Sequence, residues 1–242
     1  AVPVSSPTQL GAPGPVDGTV TQIKYILPTI ADIDGHVQQA GIEAAIKSRL
    51  IDTFADGTFR PDSLVRRGDF ARTLVSNTSL RQTLGATAKF TDVSGDLARI
   101  AEAVTAKGST LRDYNFTPNG LLSSTGLTTF SPLGSVSRLD LAVAFIRALG
   151  HDEAARALAN TNVTVNGTVI SDNAEIPGAL RGYVQLAINK GLLETYEAQV
   201  IQTAPGQFTV LPGPRVEPNN SITRATLATK LNTFRKLFTT GG

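Results

Sequence analysis

Three sixteen-residue stretches share one spacing of hydrophobic and polar positions: residues 59–74, 130–145 and 216–231. Each opens with an apolar residue two positions before a proline, and an arginine follows six positions after that proline. Apolar residues then recur three, four and seven positions after the arginine, which is the spacing of one helix face. The pattern predicts a proline-containing turn and then a helix that begins within two residues of Arg67, Arg138 and Arg224.

The apolar stripes of these three helices are expected to share one core. A single stretch of this length is too small to bury its own hydrophobic face, so stacking of repeated units is the usual solution. We therefore expect the following side chains to be mostly buried together: Phe70, Leu74, Leu141, Phe145, Leu227 and Leu231.

A second repeated feature precedes each stretch. An apolar-x-Asp pattern at Asp32, Asp92 and Asp172 leads into Ala-rich stretches at residues 37–48, 96–107 and 178–190. These stretches are predicted to be helices, and Asp and Ser residues near their starts suit N-caps. Gly108 and Gly191 follow two of them, as a left-handed C-terminal cap requires.

Each repeat therefore reads as helix, variable loop, proline-containing turn, helix. The Asp-to-Arg spacing grows from 67−32=35 to 138−92=46 and 224−172=52, and the growth lies in the middle loop. In the third repeat, QVIQT and QFTVL flank residues 204–206, which predicts an added β-hairpin. The expected organisation is an arm or linker at 1–29 and repeats at 30–85, 86–150 and 151–242.

The arm is rich in Pro, Gly and Ser and shows no helical period. Its short apolar run at residues 23–27 fits either a strand that docks on a neighbour or a flexible leader remnant. The sequence alone leaves both interpretations open.

Composition narrows the class of protein. The net charge is +2 and the basic residues form no block, which argues against nucleic-acid binding. There is no Cys, so disulfides and thiolate metal sites are excluded, and no Met, so we expect that a leader was removed or that the chain is a fragment. No apolar stretch approaches the roughly 18–20 residues that span a bilayer. We expect a secreted or wall-bound protein.

These residues resemble the S-layer homology family. The first repeat matches the family loop and second helix with Phe54-Ala55-Asp56-Gly57-Thr58-Phe59-Arg60-Pro61 and Val65-Arg66-Arg67-Gly68-Asp69-Phe70-Ala71. The second keeps Phe90-Thr91-Asp92-Val93 and Val136-Ser137-Arg138, and the third keeps Ile222-Thr223-Arg224-Ala225.

The resemblance implies a mainly α fold, a pseudo-threefold arrangement of three repeats around a central helical bundle. It implies that grooves between repeats bind secondary cell-wall polysaccharide, often through a pyruvate ketal. By the same resemblance Arg67, Arg138 and Arg224 are the carboxylate contacts, with Asp56 and Gly57 in the accompanying loop. Because only the first repeat keeps that Asp-Gly loop, Arg67 is expected to contribute most.

The position of the arginines supports a ligand role on physical grounds. Ser137 and Thr223 are good N-cap residues, so the next arginine falls at the first helical position. The positive helix end disfavours a cation there by up to about 1 kcal/mol, so a partner is expected. Free N–H groups with a guanidinium suit a carboxylate. The alternative is pairing with a local acid such as Asp69 or Asp140.

Several positions depart from the family pattern. Trp is absent, Thr53 stands where the loop normally has Gly, and Thr226 replaces the usual acid of the third repeat. The Asp-Gly pair is lost from the second and third loops. Divergence of this kind preserves a fold better than it preserves carbohydrate binding.

The expected function is non-catalytic anchoring at the cell surface. His36 and His151 are the only histidines, and no nucleophile elbow, P-loop or zinc motif is present, so no catalytic residue, cofactor or metal is predicted. Two alternatives stay open: a self-assembling surface-layer or filament subunit joined through residues 1–29, or the processed tail of a larger secreted enzyme.

Overall fold

The computed structural model describes residues 29–78, 80, 89–107 and 119–241, and the fold is mainly helical with two small antiparallel hairpins. The helices are α1 (Gln39–Lys47), α2 (Arg67–Asn77), α3 (Gly95–Thr105), α4 (Arg138–Ala148), α5 (Asp152–Ala157), α6 (Arg181–Asn189) and α7 (Arg224–Thr240). The strands are β1 (Thr164–Val165), β2 (Thr168–Val169), β3 (Gln199–Ala204) and β4 (Gln207–Leu211). Short 3-10 helices lie at Ala31–Ile33, Asn173–Glu175 and Gly178–Leu180.

The helices predicted after the three proline turns are confirmed. They begin at Arg67, Arg138 and Arg224. Ser137 accepts a hydrogen bond from the Asp140 backbone, and the Asp140 carboxylate accepts from the Ser137 backbone, which forms a capping box. Thr223 caps α7 through the backbone N–H of Thr226. These caps fix the starts of α4 and α7, each two residues after a buried β-branched residue, whereas Arg66 before α2 makes no side-chain cap bond.

The predicted core is also confirmed. Each residue of the three stripes is at most 2% exposed, and all belong to one continuous hydrophobic cluster. At its centre, the Phe145 ring lies 4.6 Å from that of Phe234 and 6.0 Å from that of Phe70. The aromatic contacts therefore join α2, α4 and α7 directly.

The helices pack in a cyclic order. We call residues 30–85, 86–150 and 151–242 the first, second and third segments. α3 packs against α2, α6 against α4, and α1 against α7, so the first helix of each segment contacts the second helix of the segment before it. The contact between α1 and α7 closes the circle, and Asn232 donates a hydrogen bond to the Gly41 carbonyl there. A side chain at Gly41 would meet Thr229 at 2.9 Å, so the glycine permits this close approach.

The backbone before the three helices closes a second circle. Val65 donates to the carbonyl of Ile222, Ile222 donates to that of Val136, and Val136 donates to that of Val65. The N–H groups at the helix starts are bonded around the same circle in the opposite direction, from Arg67 to Gly134, from Arg138 to Asn220 and from Arg224 to Ser63. These bonds satisfy N–H groups that a helix leaves without internal partners.

Three loops precede the proline turns, and we name them loop 1 (residues 52–59), loop 2 (123–130) and loop 3 (194–216). An equivalent backbone hydrogen bond closes each loop: Phe54 to the Thr58 carbonyl, Thr125 to Thr129, and Tyr196 to Arg215. Loops 1 and 2 span the same distance, since 59−52=7 and 130−123=7, whereas loop 3 spans 216−194=22. Loop 3 is therefore the common loop with an insertion.

The prediction of Asp and Ser side-chain N-caps for α1, α3 and α6 is wrong, because none of these helix starts has a side-chain cap bond. Asp32, Asp92 and Asp172 have another role. Each carboxylate instead accepts two successive backbone N–H groups at the end of a loop: Phe59 and Arg60, Phe130 and Ser131, or Val216 and Glu217. The second residue of each pair has a positive φ, at 58°, 57° and 51°. The aspartates thus hold a left-handed turn of the distant loop instead of a local helix end.

The predicted insertion hairpin is confirmed as β3 and β4, and Gly191 caps α6 in the left-handed conformation at φ 69°. Gly108 and the arm up to residue 28 lie outside the described residues. Helix α5 and the hairpin of β1 and β2 were not expected from the sequence. Over the described residues, no helix combines the length and the apolar character that a bilayer span needs.

Candidate functional site

A groove of about 520 Å³ opens where loop 1 meets the start of α7. Its walls come from α2, the turn after loop 2, and α7, so all three segments contribute. Basic, aromatic and hydroxyl side chains line it together: Phe54, Arg60, Ser63, Arg66, Asp69, Thr73, Ser135 and Arg224. Three arginines against one aspartate make the lining cationic.

Arg224 is the arginine of the third segment, and it reaches into loop 1. Its Nε donates to the Phe59 carbonyl at 2.8 Å and its Nη2 to the Asp52 carbonyl at 2.9 Å. Partial burial lowers the pKa of the Arg224 guanidinium, while the nearby Asp69 carboxylate acts in the opposite direction. An arginine stays charged under such a shift, so the groove keeps a fixed positive group.

Phe54 lies between two guanidinium groups. The Cζ of Arg60 is 4.0 Å from its ring centroid and that of Arg224 is 4.4 Å. Cations over an aromatic face are stabilised by the ring quadrupole. Phe54 therefore keeps two cations close together at one end of the groove.

Asp56 orders the tip of loop 1. Its carboxylate accepts hydrogen bonds from the Thr58 hydroxyl at 2.6 Å and the Thr58 backbone at 3.0 Å, and from Arg60 Nη2 at 2.6 Å. The Thr58 hydroxyl, the Thr58 backbone and then the Arg60 guanidinium hold the pKa of this carboxyl well below its usual value. Gly57 follows with φ 80°, a conformation that favours glycine.

Arg67 and Arg138 occupy the same place in the other two junctions. Arg67 donates to the carbonyls of Phe130 and Ser123 in loop 2, and Arg138 to those of Val216 and Glu194 in loop 3. They are 7% and 5% exposed, whereas Arg224 is only partly buried. Burial lowers the pKa of Arg67, although the guanidinium remains charged.

The structure corrects one premise of the sequence analysis. Arg67 does not stand beside the Asp56-Gly57 loop of its own segment, because its guanidinium bonds the carbonyls of loop 2. Arg224 is the arginine that contacts loop 1. The reason is the cyclic packing, which places the end of each loop against the second helix of another segment.

The sequence left open whether the arginines pair with a local acid such as Asp69 or Asp140. Asp140 forms the capping box of α4, and Asp69 lines the groove, where its charge opposes the effect of burial on Arg224. The hydrogen bonds of the three guanidinium groups run to backbone carbonyls of the loops. Each arginine thus fixes a loop, as well as presenting a cation.

Two aromatic groups of the site were missed by the sequence analysis. Phe54 and Tyr196 stand at the same position, two residues after the residue whose carbonyl accepts from an arginine, and Tyr196 lies 4.8 Å from the Cζ of Arg138. Loop 2 has Thr125 at this position. The available signal was the apolar pair before each loop: Leu50 and Ile51, Leu121 and Leu122, and Leu192 and Leu193.

No group of three or more His, Asp or Glu side chains is placed to hold a metal ion within the described ranges. The groove lining combines guanidinium, hydroxyl, aromatic and apolar groups with one carboxylate, and its guanidinium groups can pair with an anion.

Comparison with known families adds an independent observation. Residues 29–71 match the model of the S-layer homology domain, and the match covers α1, loop 1 and the start of α2 with Arg67. The chain has no match among the curated proteins compared with it. Residues 29–71 are thus similar to a non-catalytic module that attaches proteins to the cell surface by binding cell-wall polymer.

Proposed function

We propose that the three segments are divergent copies of the S-layer homology module, arranged about a pseudo-threefold axis. Three matching sets of contacts support this proposal: the aspartate at each loop end, the arginine at each helix start, and the ring of Val65, Val136 and Ile222. Identical roles at corresponding positions are expected of repeats that share one core.

The proposed function is non-catalytic anchoring to an acidic cell-wall polysaccharide at the cell surface. The observation that carries it is the groove, where Arg60, Arg66 and Arg224 line one cavity beside Phe54. A guanidinium pairs with a carboxylate through charge-assisted, often bidentate hydrogen bonds. An aromatic ring and hydroxyl groups suit the remaining faces of a sugar.

Arg224 has donors left for a ligand. A guanidinium carries five N–H groups, and Arg224 directs two of its nitrogens at loop carbonyls. Asp56 and Gly57 shape the loop that holds Arg60 at the rim. Arg67 and Arg138 occupy the corresponding positions of the other two junctions, where deeper burial leaves less room for a ligand.

The test is co-sedimentation with purified cell wall, using the wild type and Arg224→Ala, Arg66→Ala, Arg67→Ala and Arg72→Ala variants. Loss of a charged hydrogen bond costs about 1.5–3 kcal/mol, which is roughly ten- to a hundredfold in affinity. We expect that loss for Arg224→Ala, a smaller one for Arg66→Ala, and the smallest for Arg67→Ala, because Arg67 lies at the junction with loop 2 and does not line the groove.

Arg72 is the matched control, because it is exposed on α2 and does not line the groove. Melting temperatures separate loss of binding from loss of loop structure, since Arg224 also fixes loop 1. Stripping acidic substituents from the polysaccharide should weaken wild-type binding. Equal binding by every variant would refute a ligand role for this groove. A chain that is the tail of a larger secreted protein would bind in the same way.

A further inference from the structure

The hairpin of β3 and β4 exposes an apolar face. Val200 and Val210 are a cross-strand pair, 66% and 65% exposed, and Phe208, which pairs with Gln202 on the same face, is 65% exposed. In the part of the chain that the structure describes, no third strand borders either edge. A two-stranded hairpin is at best marginally stable in water without further packing.

The common loop does not need this hairpin. Loop 1 and loop 2 each close with an equivalent backbone hydrogen bond over a span of seven residues. Loop 3 closes in the same way but is fifteen residues longer, since 22−7=15. The insertion lies between Glu197 and Gly213, beyond the bond of Tyr196 with Arg215. The hairpin therefore projects from an otherwise complete loop.

The hairpin also lacks the usual protection of a free sheet edge. Residues 199–211 contain no charged side chain. Natural edge strands are commonly blunted by lysine, proline or inward charges, because open N–H and C=O groups pair with other strands. Here Pro205 lies in the turn, outside both strands, so the edges remain open to a partner strand.

We propose that the hairpin receives residues 19–27 of a second copy of this chain as an additional strand. In these residues Ile23, Tyr25 and Leu27 fall at alternate positions, separated by Lys24 and Ile26, and Lys24 is the only charge. A short run rich in β-branched and aromatic residues is typical of a strand. Nine residues are more than enough to pair with the six of β3 or the five of β4.

The position of this segment favours pairing between copies. Twenty-eight residues precede Thr29, and the described chain begins in the first segment, where Ile30 is buried and Asp32 bonds loop 1. The hairpin projects from loop 3, which Arg138 holds at a different junction. Head-to-tail pairing joins these two places in neighbouring copies, and it repeats from copy to copy.

Cysteine crosslinking tests this directly, because the natural chain has no cysteine. A tagged Gln22→Cys copy and an untagged Thr209→Cys copy are mixed and treated with a short bis-maleimide. We expect a mixed dimer in high yield. Arm-with-arm and hairpin-with-hairpin mixtures, and a mixture with the exposed Arg72→Cys control, should give at least tenfold less.

Sedimentation velocity gives the second measurement. Val210→Lys and Tyr25→Lys should each weaken self-association at least tenfold, whereas Leu127→Lys, at a site that is 95% exposed in loop 2, should leave it unchanged. A wild type that stays monomeric at all concentrations overturns the proposal. Crosslinking that occurs only between two hairpins also overturns it. The same holds if a Gln22→Cys, Thr209→Cys double variant, diluted with wild type, crosslinks only within one polypeptide.

This inference stands apart from the wall-binding proposal. Val210 does not line the groove, so the Val210→Lys variant should bind cell wall with the affinity of the wild type. Loss of assembly with normal wall binding supports the hairpin role, and loss of wall binding with normal assembly bears only on the groove.

Discussion

At the scale of single residues, the three aspartates show how one carboxylate organises a distant loop. Asp92 accepts from the backbones of Phe130 at 2.9 Å and Ser131 at 2.7 Å, thirty-eight and thirty-nine residues away. The residue pattern around Asp32, Asp92 and Asp172 was visible in the sequence. Its partners were not, because a local pattern carries no information about which distant N–H groups a carboxylate meets.

The stability of the protein should therefore depend on the charge of these aspartates. The backbone N–H of Phe130, aided by that of Ser131, lowers the pKa of the Asp92 carboxyl despite partial desolvation. The unfolded value is about 3.9. Because the folded pKa is the lower one, the Asp92 carboxylate contributes fully to the free energy of unfolding above about pH 4. That contribution is lost as the pH falls through the folded pKa.

Replacement of Asp92 by Asn should reduce the free energy of unfolding near about pH 7, and the deficit should shrink towards about pH 2. Urea unfolding at both pH values measures it. Asp34→Asn is the control, because that side chain is also exposed but does not hold a distant loop. A deficit that stays constant over this range would contradict the assignment of the lost stability to the carboxylate charge.

At the scale of elements, the features that repeat within one stretch of sequence were predicted, and the contacts between segments were not. Helix starts, the buried stripe and the insertion hairpin follow from spacing within one stretch, and all agree with the structure. The contact of Arg224 with loop 1 does not follow from such spacing, because its hydrogen bonds reach residues 165 and 172 positions away. Composition and periodicity cannot rank such long-range pairings.

The small hairpin of β1 and β2 was predictable and was missed. Asn166 and Gly167 form its turn with φ values of 49° and 82°, between Thr164-Val165 and Thr168-Val169. Asn-Gly between apolar or β-branched pairs is the strongest short-range hairpin signal, because both residues tolerate positive φ.

The hairpin of β3 and β4 should be removable without loss of the fold. Deletion of residues 198–212 leaves loop 3 with the seven-residue span of loop 1 and keeps Tyr196 and Arg215, which close the loop. Surface changes away from buried features are usually within about 0.5 kcal/mol. We expect a melting temperature within a few degrees of the wild type, measured by circular dichroism.

Deletion of the nine residues of α6 serves as the contrast, because Tyr183, Val184 and Ala187 are buried there. Unfolding of the shortened loop 3 variant would show that the hairpin is required for the fold. It would then be an integral part of the third segment instead of an insertion.

At the scale of the whole molecule, the cyclic packing of the helices and the ring of backbone hydrogen bonds make each segment depend on the others. The aromatic contacts from Phe70 through Phe145 to Phe234 and the ring of Val65, Val136 and Ile222 each use one residue from every segment. The stretch that matches the S-layer homology domain, residues 29–71, has its α1 against α7 and its loop 1 held by Arg224. Its fold should not survive without the third segment.

A chain that ends at residue 220 tests this dependence. It loses Ile222, Arg224 and the buried side chains Leu227, Leu231 and Phe234 of α7, which are at most 2% exposed. Burial of one such side chain contributes about 1.5–3 kcal/mol, so their sum approaches the roughly 5–15 kcal/mol that keeps a domain folded. We expect no cooperative thermal transition by circular dichroism, and loss of amide protection in α1 and α2 as well as in α4. Removal of residues 239–242 is the control, since Thr239, Thr240 and Gly241 are exposed and the truncation should melt like the wild type. A cooperative transition in the shorter chain, with α1 still protected, would mean that the first segment folds independently of the circle.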